Sequence, residues 1–169
     1  MSGVANPKLA LRPMLPPDGP LLAEIFRASV EELAAEDYSE SQREAWASLA
    51  DDDANFAKKL SSQLTLIATL NGSPMGFVSL AGADKLDMLY VHPAAAGQGA
   101  ATLLVDAIEK LAGARGAAKL TVEASDSAIG FFEKHGYTAQ QRNSVTLNGE
   151  WLANTTMHKP LGGGALREA

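Results

Sequence analysis

Backbone amides are the most distinctive chemical groups that this sequence brings together. They lie in the segment 94–102, which contains Gly97 and Gly99 and carries no charged side chain. An apolar run precedes the segment, and apolar residues at helical spacing follow it. The free N–H groups and the dipole at a helix N-terminus attract anions. The pattern therefore predicts an anion site built from the amides of residues 97–102, which small side chains leave open to approach.

Ionisable side chains flank this loop on both sides in the sequence. Asp87 lies on the apolar run before it, and alternation along a strand places Asp87 on one face with Leu89 and Val91, provided that no bulge intervenes. Glu123 ends a later apolar run and is a second candidate for the same region. His92 is a third, because histidine changes charge near neutral pH, although its position before a proline is more typical of an exposed loop.

A strand and two or three helices are predicted before residue 63. Asp18 is the expected N-cap of the first helix, Ser39 and Gln42 form a capping-box pattern, and Asp52 or Asp53 restarts a third helix. The predicted elements are a strand at 9–12, a helix at 20–35, and two short helices beginning near 39 and near 52. Two short helices in one connection predict a cover over part of the sheet.

From residue 64 the apolar period changes from helical to extended. Asn71-Gly72 and Asn148-Gly149 predict tight hairpin turns, since both residue types accept positive φ. The predicted elements are strands at 64–70, 75–80 and 85–91, a helix at 101–112, a strand at 119–123, a helix at 126–135 that Ser125 caps, and strands at 137–147 and 150–158. The crossover helix makes strands 85–91 and 119–123 parallel neighbours. The predicted fold class is α/β (α+β), a mixed, mostly antiparallel sheet of about seven strands with four or so helices.

Composition limits the classes of function. At 169 residues, of which 46% are hydrophobic, the chain suits a single domain, predicted over 1–161 with a flexible tail over 162–169. There is no cysteine, the three histidines lack metal-ligand spacing, and no apolar run reaches the ~20 residues of a membrane span. A net charge of −6 disfavours nucleic acid as a partner. We expect a cytoplasmic protein with no metal and no membrane segment.

The order of elements and two motifs resemble the GNAT superfamily of acyl-CoA-dependent N-acetyltransferases over roughly residues 8–160. The family's acetyl-CoA signature is Gln or Arg, two residues, Gly, one residue, then Gly or Ala. This chain matches it at Gly99 and Ala101 and departs from it at Ala96. The segment 128–137 looks like the family's last helix with its Gly-aromatic ending.

The resemblance implies acetyl-CoA as co-substrate and transfer of its acetyl group to an amine by direct attack in a ternary complex. In the family the strand matching 85–91 splays from its parallel neighbour, strand 4 from strand 5, and the pantetheine arm inserts between them. The Val91 amide would then polarise the thioester carbonyl. The implied cofactor-binding residues are Leu89, Tyr90, Val91, Gly97, Gln98, Gly99, Ala100, Ala101, Thr102, Ser125 and Phe132. We expect the departure at Ala96 to cost little affinity, because most of the site is backbone.

Proton transfer requires a base for the ammonium group of the acceptor, and a departing thiolate accepts a proton. Asp87 is the first candidate base, with Glu123 and His92 as alternatives; a strand-end charge or a partner for Arg12 is the other interpretation of Asp87. Many relatives place a tyrosine in the last helix beside the sulfur, but Phe132 matches it here. Ser125 matches an Asn of relatives.

Two tyrosines complete the set of possible proton donors. Tyr90 or Ser125 is the hypothesised group near the sulfur, and water is a further possibility. Tyr137 is more typical of a half-buried sheet residue.

The acceptor pocket is expected across the splay, beneath residues 36–60 and the final hairpin. Tyr38, Trp46 and Phe56 are candidate walls, and Asn154 is a candidate polar contact. Aromatic residues at such spacing are also typical of core packing. The acceptor is a small-molecule amine or a peptide, and the sequence does not distinguish them.

Two other functions share parts of this sequence pattern. A dinucleotide-binding loop with Glu123 on a ribose is disfavoured, because an antiparallel meander precedes the loop and the glycines lie six residues beyond the strand. A non-catalytic acyl-CoA-binding module remains the alternative, since Phe132 has no proton to give. Exposed sheet edges also make a homodimer possible.

Overall fold

A seven-stranded sheet forms the centre of the computed structural model, which describes residues 8–162. The strands are β1 (Leu9–Pro13), β2 (Leu64–Leu70), β3 (Ser73–Ala81), β4 (Lys85–Val91), β5 (Lys119–Ser125), β6 (Thr138–Leu147) and β7 (Glu150–Pro160). The helices are α1 (Gly19–Leu33), α2 (Glu40–Ala47), α3 (Asp53–Ser61), α4 (Ala100–Ala114) and α5 (Ile129–Lys134). The strand order is β1-β2-β3-β4-β5-β7-β6, and only β4 and β5 pair in parallel. The predicted fold class, including its parallel pair, is confirmed.

Helices cover both faces of the sheet and divide the core in two. On one face the apolar stripe of α1, which includes Leu22 and Phe26, packs with α3 against Phe77 and Met88. On the other face α4 packs against β3 and β5 through fully buried residues such as Leu104. This arrangement follows from the helical spacing of apolar residues.

The predicted turns and two predicted caps are present. At the start of α3 the Asp52 carboxylate accepts from the Asn55 amide (3.1 Å). Asn71 (φ 53°) and Gly72 (φ 89°) join β2 to β3, and the corresponding Asn-Gly pair joins β6 to β7 with φ values of 43° and 80°. Ser39 Oγ accepts from the Gln42 amide (3.1 Å), and Gln42 Oε1 accepts from the Ser39 amide (2.8 Å). These short-range signals therefore placed the hairpins and the start of α2 correctly.

Two other residues predicted as caps, Asp18 and Ser125, do not cap a helix with their side chains, because tertiary partners engage the side chain of Asp18 and the backbone of Ser125. Asp18 precedes α1, but its carboxylate accepts from the Arg12 guanidinium (2.7 and 2.9 Å) and from the Leu15 amide (2.7 Å). Ser125 does not start a helix, since pairing with Asn154 of β7 extends β5 to that residue. Helix α5 consequently begins only at Ile129.

The remaining sequence predictions concern the chain ends and the membrane. None of the helices between residues 8 and 162 is long and apolar enough to cross a bilayer. The predictions for residues 1–7 and 163–169 lie outside the described residues, and the single domain over 1–161 stays a prediction. The two edges of the described sheet are β1 and β6.

Candidate functional site

The parallel pair β4–β5 separates soon after it begins. Only Lys85 with Thr121 and Leu86 with Val122 are in register, so the two strands diverge beyond Leu86. Two clefts meet in this opening, and both are lined by Trp46, Leu89, Tyr90, Ser125 and Ala128. The divergence therefore connects two binding spaces through a shared wall.

The first cleft, of about 420 Å³, runs from the opening to the N-terminus of α4. We call it the loop cleft. The amides of Gly99, Ala100, Ala101 and Thr102 donate to no protein acceptor within residues 8–162, and the first helical bond is from the Leu103 amide to the Gly99 carbonyl (3.0 Å). Four free N–H groups at the positive end of a 15-residue helix form an anion site.

Positive backbone angles shape the loop that leads into this site. Gly97 (φ 78°) and Gly99 (φ 89°) adopt the left-handed region, which a residue with a side chain adopts only at a cost. Gly99 is the N-cap of α4 and has no side chain to occupy the free amides. The glycines thus turn the chain and keep the amides accessible.

Most of the predicted cofactor-binding residues line the loop cleft. Those that do are Leu89, Tyr90, Val91, Gly97, Gly99, Ala100, Ala101, Thr102 and Ser125. Gln98 is exposed at its margin, where its side chain donates to the Ala94 carbonyl (3.4 Å). Phe132 is 2% exposed in the core and borders the second cleft instead. Sequence reasoning missed Ser29, Leu33 and Phe131, because a helical stripe does not show which of its residues border a cavity.

The second cleft, of about 250 Å³, lies on the α1–α3 face of the sheet. We call it the apolar cleft. Its walls are largely hydrophobic and come from α1, from residues 38–49 in and around α2, and from the β6–β7 hairpin: Phe26, Tyr38, Trp46, Leu49, Val145, Leu147 and Leu152. Tyr38 and Trp46 stack edge to face with centroids 5.2 Å apart, and Asn154 also lines the cleft. Phe56, the third predicted wall, instead packs in the core against Phe26 and Phe77.

Tyr38 joins two sides of the apolar cleft through hydrogen bonds. Its hydroxyl donates to the Ala153 carbonyl of β7 (2.6 Å) and accepts from the Asp126 amide (2.9 Å). Burial raises the pKa of the Tyr38 phenol, so the hydroxyl stays protonated. One side chain between α1 and α2 thereby holds both β7 and the β5–α5 connection.

A bulge changes the predicted orientation of Asp87. Met88 pairs with Ser79 and Leu86 with Leu80, which leaves Asp87 as an extra residue in β4. A bulge places two successive side chains on nearly the same side of a strand. Simple alternation would place Asp87 on one face with Leu89 and Val91, provided that no bulge intervenes. The bulge breaks that condition, so Asp87 does not share their face.

The bulge directs the Asp87 carboxylate into the apolar cleft. It accepts from Gln63 Nε2 (2.9 Å) and lies 3.4 Å from Lys59 Nζ. Its side chain is 19% exposed. The alternative partner named from the sequence, Arg12, binds Asp18 instead.

Glu123 brings a second carboxylate to the same cleft from β5. It lies 3.6 Å from Lys85 Nζ, and its side chain is 50% exposed. Both candidate bases thus border one space, with Asp87 the more enclosed of the two. Each carboxylate has a lysine beside it, so the positive and negative charges at the rim of the apolar cleft balance.

Tyr90 and Ser125 occupy the junction of the two clefts. Tyr90 packs edge to face on Phe26 (4.7 Å between centroids) and near Trp46 (6.3 Å). Burial raises the pKa of the Tyr90 phenol. Ser125 ends β5 at the opposite side of the opening.

His92 and Tyr137 border neither cleft. His92 Nδ1 accepts from the Ala94 amide (3.0 Å) in a local turn. The Tyr137 hydroxyl donates to Glu109 (2.9 Å) in the core, behind Phe132. No group of three or more His, Asp or Glu side chains in the described part of the chain is arranged to hold a metal ion.

Comparison with known proteins gives consistent matches. The family model for the acetyltransferase (GNAT) domain matches residues 34–161. The uncharacterized N-acetyltransferase YafP of Escherichia coli K12 is 32% identical over 153 residues, which are 90% of this chain and 97% of that protein.

Two solved structures extend the comparison to the fold. The GCN5-related N-acetyltransferase "Aminotransferase, Class-II" of Rhodopseudomonas palustris is 62% identical, with a TM-score of 0.90 over 94% of this chain and 100% of that one. The PaiA N-acetyltransferase of Thermoplasma acidophilum, solved in complex with coenzyme A, is 21% identical, with a TM-score of 0.72 over 90% and 99% of the two chains.

Proposed function

We propose, because the chain belongs to the GNAT family of acetyltransferases, that it transfers the acetyl group of acetyl-CoA to an amine by direct attack in a ternary complex. Membership of the family confirms the resemblance seen in the sequence and the prediction of an acetyltransferase. The observation that carries the choice of co-substrate is the row of free amides from Gly99 to Thr102. Successive N–H groups suit the adjacent anionic oxygens of a pyrophosphate.

The loop cleft has the shape and chemistry that acetyl-CoA needs. Its open end carries the free amides, and its inner end reaches Leu89, Tyr90 and Val91 at the opening between β4 and β5. Beyond Leu86 this edge of β4 has no β5 residue in register, so a pantetheine arm fits beside it as a backbone partner. When bound there, acetyl-CoA supplies the activated acetyl group. The complex of Thermoplasma PaiA with coenzyme A supports this choice.

Asp87 is the group proposed to bind the ammonium and take its proton. The ammonium loses one proton before attack. Attack then forms the C–N bond and breaks the C–S bond, the nitrogen releases a second proton to solvent, and the thiolate gains one. The carboxylate lies in the apolar cleft beside Tyr90, and Gln63 and Lys59 hold it in place. Glu123, being half-exposed, is proposed to attract the acceptor at the rim.

Tyr90 is the proposed proton donor to the thiolate, with Ser125 as the second candidate. Both lie at the junction of the clefts, where the sulfur and the amine must meet. The Tyr90 phenol is protonated at neutral pH, as any tyrosine with its ordinary pKa is, and burial raises that pKa further. Replacing Tyr90 by Phe and Ser125 by Ala separates them: the variant that lowers kcat identifies the donor, and unchanged turnover in both dismisses the pair.

The acceptor is proposed to be a small amine with an apolar body. The apolar cleft offers hydrophobic and aromatic walls with carboxylates at one side. Its volume of about 250 Å³ is below the range of roughly 300–1,000 Å³ that holds drug-sized ligands. Aromatic faces also favour a nearby ammonium, by about 0.5–2 kcal/mol.

Thiol release from acetyl-CoA across a panel of amines tests the proposal. The panel comprises arylalkyl and alkyl monoamines, polyamines, and peptides with free N-termini, each at matched concentration. We expect turnover with apolar monoamines. Activity confined to peptides would refute the acceptor class, and acetyl-CoA binding without turnover on any amine would favour the non-catalytic module. Absence of binding at millimolar acetyl-CoA would refute the site itself.

A further inference from the structure

A histidine adjoins the anion site without bordering it. His135, at the end of α5, has its Nε2 3.1 Å from Thr102 Oγ in the first turn of α4. Its other ring nitrogen, Nδ1, lies 2.8 Å from the Phe131 carbonyl oxygen, and its ring stacks on the Phe131 ring (4.1 Å between centroids). Thr102 and Phe131 both line the loop cleft. His135 is thus one hydrogen bond away from the anion site.

These two contacts determine which way the hydroxyl of Thr102 points. A carbonyl oxygen only accepts, so Nδ1 of His135 must carry a hydrogen. In the neutral ring Nε2 is then an acceptor, and the Thr102 hydroxyl donates to it. In the protonated ring Nε2 is a donor, and Thr102 Oγ accepts from it. Only in the second case is the Thr102 hydroxyl hydrogen free to point into the cleft.

We propose that His135 is a positioning residue for the anion, and that its protonation releases the Thr102 hydroxyl to donate to the pyrophosphate. The inference rests on the proposed function, since it takes the pyrophosphate of CoA as the anion. Protonated His135 strengthens binding through Thr102 and through its own charge. Coenzyme affinity should therefore be higher when His135 is protonated than when it is neutral, so it should rise as the pH falls.

The charged groups on the surrounding elements are compatible with this linkage. On α4 these are Asp106, one turn beyond Thr102, and Glu109; on α5 they are Glu133 and Lys134; on β7 it is Lys159. Glu109 already binds Lys159 Nζ and the Tyr137 hydroxyl, both at 2.9 Å. Within residues 8–162 the charge of Asp106 is not offset in this way, so an Asp106→Asn control measures how much that charge contributes to the pH dependence of binding.

The test is calorimetric binding of dephospho-CoA between about pH 5.5 and 8.5, in buffers of different ionisation enthalpy. Dephospho-CoA keeps the pyrophosphate and lacks the 3′-phosphate, whose own second ionisation near pH 6 would obscure the effect. We expect affinity to fall about tenfold from the lower to the upper end of this range, with proton uptake on binding.

Three variants distinguish the relay from simple charge attraction. Thr102→Val removes the hydroxyl and keeps the shape and the charge of His135, so it should lose most of the pH dependence. Thr102→Ser should restore it. His135→Phe keeps a ring on Phe131 and should bind with no proton uptake.

The outcomes separate the inference from the proposed function. Binding without proton uptake, or equal pH dependence in wild type and Thr102→Val, overturns the relay while leaving the coenzyme site in place. No binding of either CoA or dephospho-CoA overturns both. Thermal melts of each variant check that the fold is retained.

Discussion

Replacing Tyr38 by Phe should loosen the apolar cleft without disturbing the loop cleft. The substitution keeps the ring on Trp46 and removes the hydroxyl that joins the Ala153 carbonyl to the Asp126 amide. Each hydrogen bond contributes about 0.5–1.5 kcal/mol, so we expect a loss of about 2 kcal/mol in the free energy of unfolding. For a chain of this length that corresponds to a fall in Tm of about 4–8 °C.

The same substitution should change the KM of the acceptor amine and leave that of acetyl-CoA nearly unchanged. Tyr38 lines the apolar cleft and is absent from the walls of the loop cleft. Freed from Tyr38, the Ala153–Asn154 wall gains mobility, and we expect the KM of the acceptor amine to rise about tenfold. The KM of acetyl-CoA should change little. Thermal melts and steady-state thiol release measure the two effects.

Tyr137→Phe is the matched control. It also removes one buried phenolic hydroxyl, here bound to Glu109 at 2.9 Å, but it lies away from both clefts. A comparable loss of stability with both KM values unchanged is expected. If Tyr38→Phe leaves the Tm unchanged, or raises both KM values alike, the assignment of Tyr38 to the acceptor side is refuted.

Five further substitutions, two of them comparisons for the others, test stability, the anion site and the base. Asp18→Asn should lower the free energy of unfolding by about 2 kcal/mol at neutral pH. Because Arg12 lowers the pKa of Asp18, that contribution is present above about pH 4 and disappears as the pH falls further. Urea unfolding curves of wild type and variant should therefore converge in acid. Gly99→Val should cost about 1–2 kcal/mol at φ 89° and weaken CoA binding in calorimetry, whereas Gly113→Ala, in open space on α4, should leave CoA binding unchanged. Asp87→Asn should lower kcat about 100-fold, and Glu123→Gln should chiefly raise the acceptor KM in the same assay; the reverse pattern would move the base to Glu123.

Local signals were sufficient for much of the fold. The Asn-Gly pairs specified both hairpin turns because they accept positive φ, whatever surrounds them. The capping box at Ser39 is likewise complete within four residues. The amide site could be found from the sequence for the same reason, since a glycine loop and the helix after it are neighbours along the chain.

Tertiary pairing decided the features that the sequence did not reveal. Asp18 suits an N-cap, yet it is bound by Arg12 from β1. Ser125 suits a helix start, yet β7 extends β5 as far as that residue. The wall residues of the apolar cleft come from α1, from residues 38–49 and from the last hairpin, which only the folded chain brings together.

The bulge at Asp87 links the shape of the opening to its chemistry. Without it, alternation would place Leu86, Met88 and Tyr90 on one face; with it, Leu86 packs in the core beside α4 while Met88 and Tyr90 contact the α1–α3 core. A bulge also bends its strand, and β4 leaves its register with β5 directly after Leu86.

One inserted residue therefore accounts for two properties of the site. It turns β4 away from β5, which opens the space between the clefts, and it directs a carboxylate and then a phenol toward the apolar cleft. The alternate residues, Leu89 and Val91, pack toward the α4 core. A single strand can in this way contact a coenzyme along its edge while presenting Asp87 and Tyr90 to the acceptor. Deletion of Asp87 should thus remove more than a candidate base, since it would also restore the alternation that keeps β4 and β5 in register.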